Sequence, residues 1–114
     1  MIDLLHITRK EDWLKALADG CYRANSLASQ GFIHCSSPAQ VVATANRYYH
    51  GQHGLVLLGI DSNLVQAEVR MENLEGGKDI FPHIYGPLNL EGVVKVSEFE
   101  PDRDGNFGAV KIGE

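Results

Sequence analysis

The chain has 114 residues, 44% of them apolar, and a formal net charge of -5. That length suits one domain, residues 1–114, with a continuous core that needs neither disulfides nor metal. An acidic chain repels phosphate, which excludes a broad nucleic-acid platform but not a local basic pocket supplied by Arg9, Arg23, Arg47 or Arg70.

Two cysteines, Cys21 and Cys35, are too few for a disulfide framework and point to reduced thiols in a cytoplasm. The segment Met1 to His6 has no basic leader and no long apolar run, so no signal peptide is expected. No apolar stretch approaches the roughly 20 residues of a bilayer span, and no membrane partner is expected.

In chain order, Ile2 to Ile7 reads as a strand. Thr8 and Glu11 have the spacing of a capping box, predicting a helix to about Asp19 with Trp13, Leu14 and Leu17 as its buried stripe. Gly20 stands where a left-handed terminator is needed. Cys21 to Gln30 reads as a loop and Gly31 to Cys35 as a short strand. Ser37, Pro38 and Gln40 repeat the helix-start pattern, and Val41, Val42, Ala45, Tyr48 and Tyr49 keep a helical period that Gly51 ends.

The second half is strand-rich. Gly54 to Asp61 is a continuous apolar run, expected to be a central strand buried on both faces. Gln66 to Met71 alternates. Asn73 to Lys78 reads as a loop. Ile80 to Tyr85 is strand-like, and Pro82 predicts an edge or a bulge there. Gly92 to Glu98 is a further strand, and from about residue 101 the tail reads as loop-like or disordered. Two early helices followed by strands predict an α+β class.

Three histidines fall in predicted strands: His6, His34 and His83. Strand parity puts Phe32, His34 and Ser36 on one face, and Phe81, His83 and Tyr85 on one face. An aromatic ring, an imidazole and a hydroxyl together suit a pocket for a planar polar ligand. The alternative is that each histidine is a structural hydrogen-bonder. His50 and His53 flank Gly51 at a helix end and read as surface residues. The histidines and Cys35 are able zinc ligands, but none has the short spacing of a zinc motif, so no metal is expected. Cys35 and His34 are adjacent on a strand and point to opposite faces, so they do not make a nucleophile pair. Arg70 and Glu72 share a face. They read either as a surface ion pair or as an anion-binding arginine held by a carboxylate.

The run His6-Ile7-Thr8, then Trp13, Gly20, Ser26-Leu27-Ala28, Gly31-Phe32-Ile33-His34-Cys35-Ser36, Gln40 and Phe81-Pro82-His83-Ile84-Tyr85-Gly86-Pro87-Leu88 resembles the bacterial family known as domain of unknown function 952. The resemblance covers about Leu5 to Val96. That family in turn resembles a compact ADP-ribosyltransferase fold, near the RNA 2′-phosphotransferases. The resemblance implies two helices on a split, bent, mostly antiparallel sheet, with a cleft for NAD or a related nucleotide. It implies His34 and His83 as catalytic candidates. His6, Thr8, Phe32, Ser36, Tyr85 and Arg70 become the candidates for holding the cofactor, with Arg23 a further candidate for an anion. Many protein-modifying members of that fold place a glutamate in the third motif, where this chain has His83 and Tyr85. That departure leaves two expectations open: a transferase, or a non-catalytic nucleotide-binding module that acts through a protein partner.

Overall fold

The computed structural model describes residues 1–74 and 76–110. Eight strands and three α-helices follow one another: β1 (Leu4–Arg9), α1 (Lys10–Asp19), β2 (Cys21–Tyr22), α2 (Asn25–Gln30), β3 (Ile33–His34), α3 (Val41–Tyr48), β4 (Leu55–Ile60), β5 (Glu68–Glu72), β6 (Phe81–Tyr85), β7 (Leu88–Asn89) and β8 (Val93–Phe99). Every strand pairing is antiparallel. The strands form a sheet β1-β4-β8, a sheet β3-β6-β5 and a short pair β2-β7. The class is mixed α and β, as the order of elements predicts. Among the described residues no helix is long and apolar enough to cross a membrane.

The apolar run of β4 explains the layering. All six of its residues are buried, because the strand is central and both its faces are covered. Val56, Leu58 and Ile60 join Leu4, Trp13, Tyr22, Ile33 and Ile84 in one core. Leu55 and Leu57 face the other way and pack with Leu5, Ile7, Val41, Ala45 and Phe99 in a second core. The two cores are therefore separated by one strand's pleat.

The two larger sheets meet at a single backbone bridge. The Leu5 N–H donates to the Ser36 carbonyl and the Ser36 N–H to the Leu5 carbonyl, both at 2.8 Å. The chain then leaves into α3, so the pairing goes no further and a groove opens beside the seam. Gln40 accepts from the Ser37 N–H at 3.0 Å, but α3 starts only at Val41, with Gln40 at its N-cap position and no side-chain cap, so the expected Ser37 cap with Pro38 in the first turn is corrected.

Several expectations are corrected. Thr8 does not cap α1: strand β1 continues to Arg9, and the Thr8 hydroxyl is 2.9 Å from the Tyr22 hydroxyl instead. The buried stripe of α1 is Trp13 with Ala16, while Leu14 and Leu17 are half-exposed. Gly20 does end the helix at φ 87°, donating its N–H to the Ala16 carbonyl. The segment read as a loop holds β2 and helix α2. Gly31, read as the start of a strand, is the left-handed terminator of α2. It has only six residues, with no buried side chain, so no apolar period announced it.

Pro82 lies neither at an edge nor at a bulge. It sits inside β6, the central strand of its sheet. Its carbonyl accepts from the Cys35 N–H at 3.0 Å, so its ring nitrogen faces the same way, towards a point beyond the last paired residue of β3. The missing N–H falls where the ladder has stopped.

The tail from 101 to 110 has no helix or strand, yet Phe107 is buried and stacks on Phe99 with ring centroids 4.6 Å apart. Asn46 holds that turn, accepting from the Phe107 N–H and donating to its carbonyl.

Leu58 is fully buried at the centre of β4. Truncation there leaves a cavity between β1, β8 and the core beneath that the neighbours cannot fill. Leu58→Ala is expected to lower unfolding stability by about 2–5 kcal/mol in urea denaturation, and a loss below 1 kcal/mol argues against a rigid double-sided core.

Candidate functional site

A cleft of about 1090 Å³ opens beside the seam between the two sheets. One wall is β3 with its flanking residues, another is α3, and Leu74, Gly77, Lys78, Asp79 and Phe81 complete the lining. Phe32, His34 and Ser36 line it, as strand parity predicts, and so does an edge of His6. The sequence reading did not select Gln40, Thr44 or Lys78 as cleft residues, and of the four arginines named for a local basic pocket only Arg47 is among the described residues of the lining. The helical period of α3 could have found Thr44, which lies three residues after buried Val41. Ser36 and Thr44 hydroxyls are 3.4 Å apart across the cleft floor.

His34 is exposed and donates its Nε2–H to Gln30 Oε1 at 2.6 Å. Gln30 ends α2, so the helix hidden in the sequence orients this imidazole. The Gln40 amide donates to the Ile80 carbonyl at 2.8 Å and ties α3 to the opposite rim.

His6 has a different role. It is buried, with Nδ1 2.5 Å from the His34 carbonyl and Nε2 2.7 Å from the Tyr22 hydroxyl. A carbonyl can only accept, so Nδ1 carries the proton. Burial pushes the His6 pKa down to about 4, against the raising effect of the bond to the His34 carbonyl. The ring is neutral at pH 7 and Nε2 accepts from the Tyr22 hydroxyl. Burial likewise pushes Tyr22 up to about 12. Both His6 nitrogens are occupied by the protein itself. Thr8 closes this buried chain at Tyr22 and lies outside the cleft lining.

His83, Tyr85 and Arg70 also lie outside it. They occupy the same sheet face as His34: His83 is directly opposite His34 on one side and Arg70 on the other. Phe32 covers this row, with its ring centroid 4.3 Å from that of His83, 4.8 Å from His34 and 5.2 Å from Tyr85.

Glu72 is the residue that sequence reasoning misplaced. It is not the partner of Arg70, whose guanidinium grips Glu68 through Nε at 2.8 Å and a terminal nitrogen at 3.0 Å, and lies 4.2 Å over the Tyr85 ring. Glu72 Oε1 instead accepts from the Tyr85 hydroxyl at 2.6 Å and from His83 Nδ1–H at 2.9 Å. Those two bonds hold its carboxyl below the usual range, with Tyr85 the larger cause, and the same bond pushes the Tyr85 hydroxyl up. The cross-strand donors took Glu72 because β6 runs beside β5 in that register. Shared parity of Glu72 with the His83–Tyr85 face was the available signal.

Cys35 is buried on the other face of β3, and burial raises its thiol far above the ordinary value. It has no thiolate to offer as nucleophile. Among the described residues no three His, Cys, Asp or Glu side chains are grouped to hold a metal.

The folded-state pKa of His6, about 4, lies below the unfolded value of 6.5. The unfolded chain therefore binds the proton first as pH falls. Stability is full above pH 6.5 and declines between 6.5 and 4, by on the order of 3 kcal/mol from this group. Urea midpoints measured from pH 7 to pH 4 are expected to show that slope, and His6→Gln to reduce it. An NMR titration with an ordinary His6 midpoint near 6.5 contradicts the buried pin.

The crystal structure of protein CC0527 from Caulobacter crescentus is similar with a TM-score of 0.83 and 30% identity, covering 92% of this chain and 92% of that one. The solution NMR structure of the same protein is similar with a TM-score of 0.73 and 30% identity, over 93% and 91% of the two chains. No curated protein matches the sequence. The family model for Protein of unknown function (DUF952) matches residues 7–96, which includes the His34 and His83 strands and the Ser36 side of the seam between the sheets; the chain belongs to the DUF952 family.

Proposed function

We propose that this chain is an ADP-ribosyltransferase-like domain whose cleft binds NAD or a related nucleotide. The observation that carries the reading is the lining of the cleft. It combines ring surfaces (Phe32, Tyr48), neutral hydrogen-bonding groups (Ser36, Gln40, Thr44) and two cations, Arg47 and Lys78. Aromatic faces suit a base or nicotinamide ring, hydroxyls and amides suit ribose, and cations suit a pyrophosphate. The volume is ample for a dinucleotide. The local cations counter a chain that is acidic as a whole.

In this reading His34 reaches the ribose or a phosphate. Held by Gln30, it presents a fixed imidazole at the cleft wall. NAD supplies an electrophilic sugar carbon when bound; the chain's own residues orient the sugar and hold the charge. Isotope-labelled protein titrated with NAD and ADP-ribose is expected to show saturable shifts of the His34 imidazole signals. His34→Ala should weaken binding about tenfold, the loss of one good hydrogen bond worth about 1.4 kcal/mol. Unchanged affinity removes His34 from the site.

A second reading is a non-catalytic module that binds the nucleotide and acts through a protein partner. One observation favours it. Among the described residues that line the cleft, Asp79 is the only carboxylate, and Glu72 is engaged by His83 and Tyr85 outside it. Consumption of NAD by the purified protein, lost in His34→Ala, discards this second reading.

A further inference from the structure

We infer that Glu72 and His83 form a screened proton acceptor behind the cleft wall, covered by Phe32, which takes a ligand hydroxyl when that ring swings aside. The inference deepens the nucleotide reading and rests on it for the identity of the ligand: the hydroxyl belongs to a ribose.

His83 is 1% exposed. Its Nδ1–H is committed to the Glu72 carboxylate. Its Nε2 is the one buried side-chain nitrogen or oxygen without a hydrogen-bond partner among the described residues. An ionised Glu72 can only accept, so Nδ1 carries the proton of this bond, and the neutral form of the ring with that tautomer has Nε2 as a bare acceptor. Buried polar atoms in native proteins find partners, and one that does not calls for a cause.

The surroundings supply the cause. Tyr85 donates to the same carboxylate oxygen and fixes its position, so the imidazole is held from behind on two strands. A carboxylate behind an imidazole also stabilises the cation formed when Nε2 takes a proton. In front stand two rings, Phe32 and His34, at 4.3 and 5.4 Å between centroids, and both line the cleft. Through these two ring contacts the buried imidazole adjoins the cleft lining. Phe32 makes no hydrogen bond through its side chain, and it stands just before β3, where the sheet's ladder begins. Its ring is held by packing alone. Displaced, it leaves Nε2 facing a ligand hydroxyl. The O–H bond then either remains as a hydrogen bond or breaks. On breaking, the proton goes to Nε2, the electron pair stays on oxygen, and the positive charge rests against Glu72.

Diethyl pyrocarbonate, which acylates bare imidazole nitrogens, tests the screen, with modification of each histidine followed by mass spectrometry. In the unaltered protein His83 should react at least tenfold more slowly than exposed His50. Phe32→Ala should remove most of that difference, and Phe32→Leu, which keeps an apolar side chain, part of it. If His83 stays slow in both variants while their NMR spectra remain those of a folded protein, the screen is overturned. Saturating ADP-ribose on the 15N-histidine-labelled protein tests the ligand. Movement of His83 Nε2 in the direction of an accepted hydrogen bond, together with His34, supports the subsite. Movement of His34 alone overturns the subsite and leaves the cleft reading standing. No movement of His34 overturns the nucleotide reading, and the acylation rates still decide the screen.

Discussion

The seam between the two larger sheets holds the rest of the structure in place. It consists of one backbone bridge, Leu5 with Ser36, and one side-chain bond, His6 to the His34 carbonyl. The bridge is only two hydrogen bonds long, so the sheets diverge beside it. His6 reinforces it from the buried side, Tyr22 locks the ring from the third strand pair, and Thr8 of β1 in turn bonds the Tyr22 hydroxyl. The cost of burying that imidazole appears as its lowered pKa. Without such a pin the sheets would share little besides apolar contact, which is non-directional and sets no angle between them.

The cleft is the consequence of that divergence. Helix α3 starts just after the bridge because Ser37 and Gln40 close its first turn, so it crosses the gap and does not extend the sheet. Its buried residues Val41 and Ala45 pack on β1 and β4, which leaves Thr44, Arg47 and Tyr48 towards the opening. The same three residues of backbone around His34 thus serve two ends. The carbonyl of His34 joins the sheets, and its imidazole faces the space that the junction creates.

The outer face of the second sheet is organised by charge and ring stacking. Arg70 is held by Glu68 and lies over Tyr85, which bonds Glu72, which bonds His83. Each link occupies a group that would otherwise pair elsewhere, so the arrangement has few alternatives. Exposed ion pairs of this kind add little to stability. Their effect here is positional: they fix the tautomer and the orientation of a buried imidazole.

The sequence by itself determined the local rules. Continuous apolar character marked β4 as central, the Val41 to Tyr49 period marked α3, and parity grouped Phe32 with His34 and Ser36. The runs Gly31 to Cys35 and Ile80 to Tyr85 read as strands, and they contain β3 and β6. These signals are local, because pleat and helical period repeat within a few residues. Tertiary structure alone decided the partners. Thr8 left its expected cap for Tyr22, Glu72 left Arg70 for His83 and Tyr85, and Pro82 entered a central strand because the neighbouring ladder stops short of it. Helix α2 has no fully buried side chain, with only Leu27 packed against the core, and it ends at Gly31 just ahead of Phe32 and β3. Each choice depends on which strand lies alongside, and on where its pairing ends. That is a relation between residues far apart in the chain, and no periodicity within a segment records it.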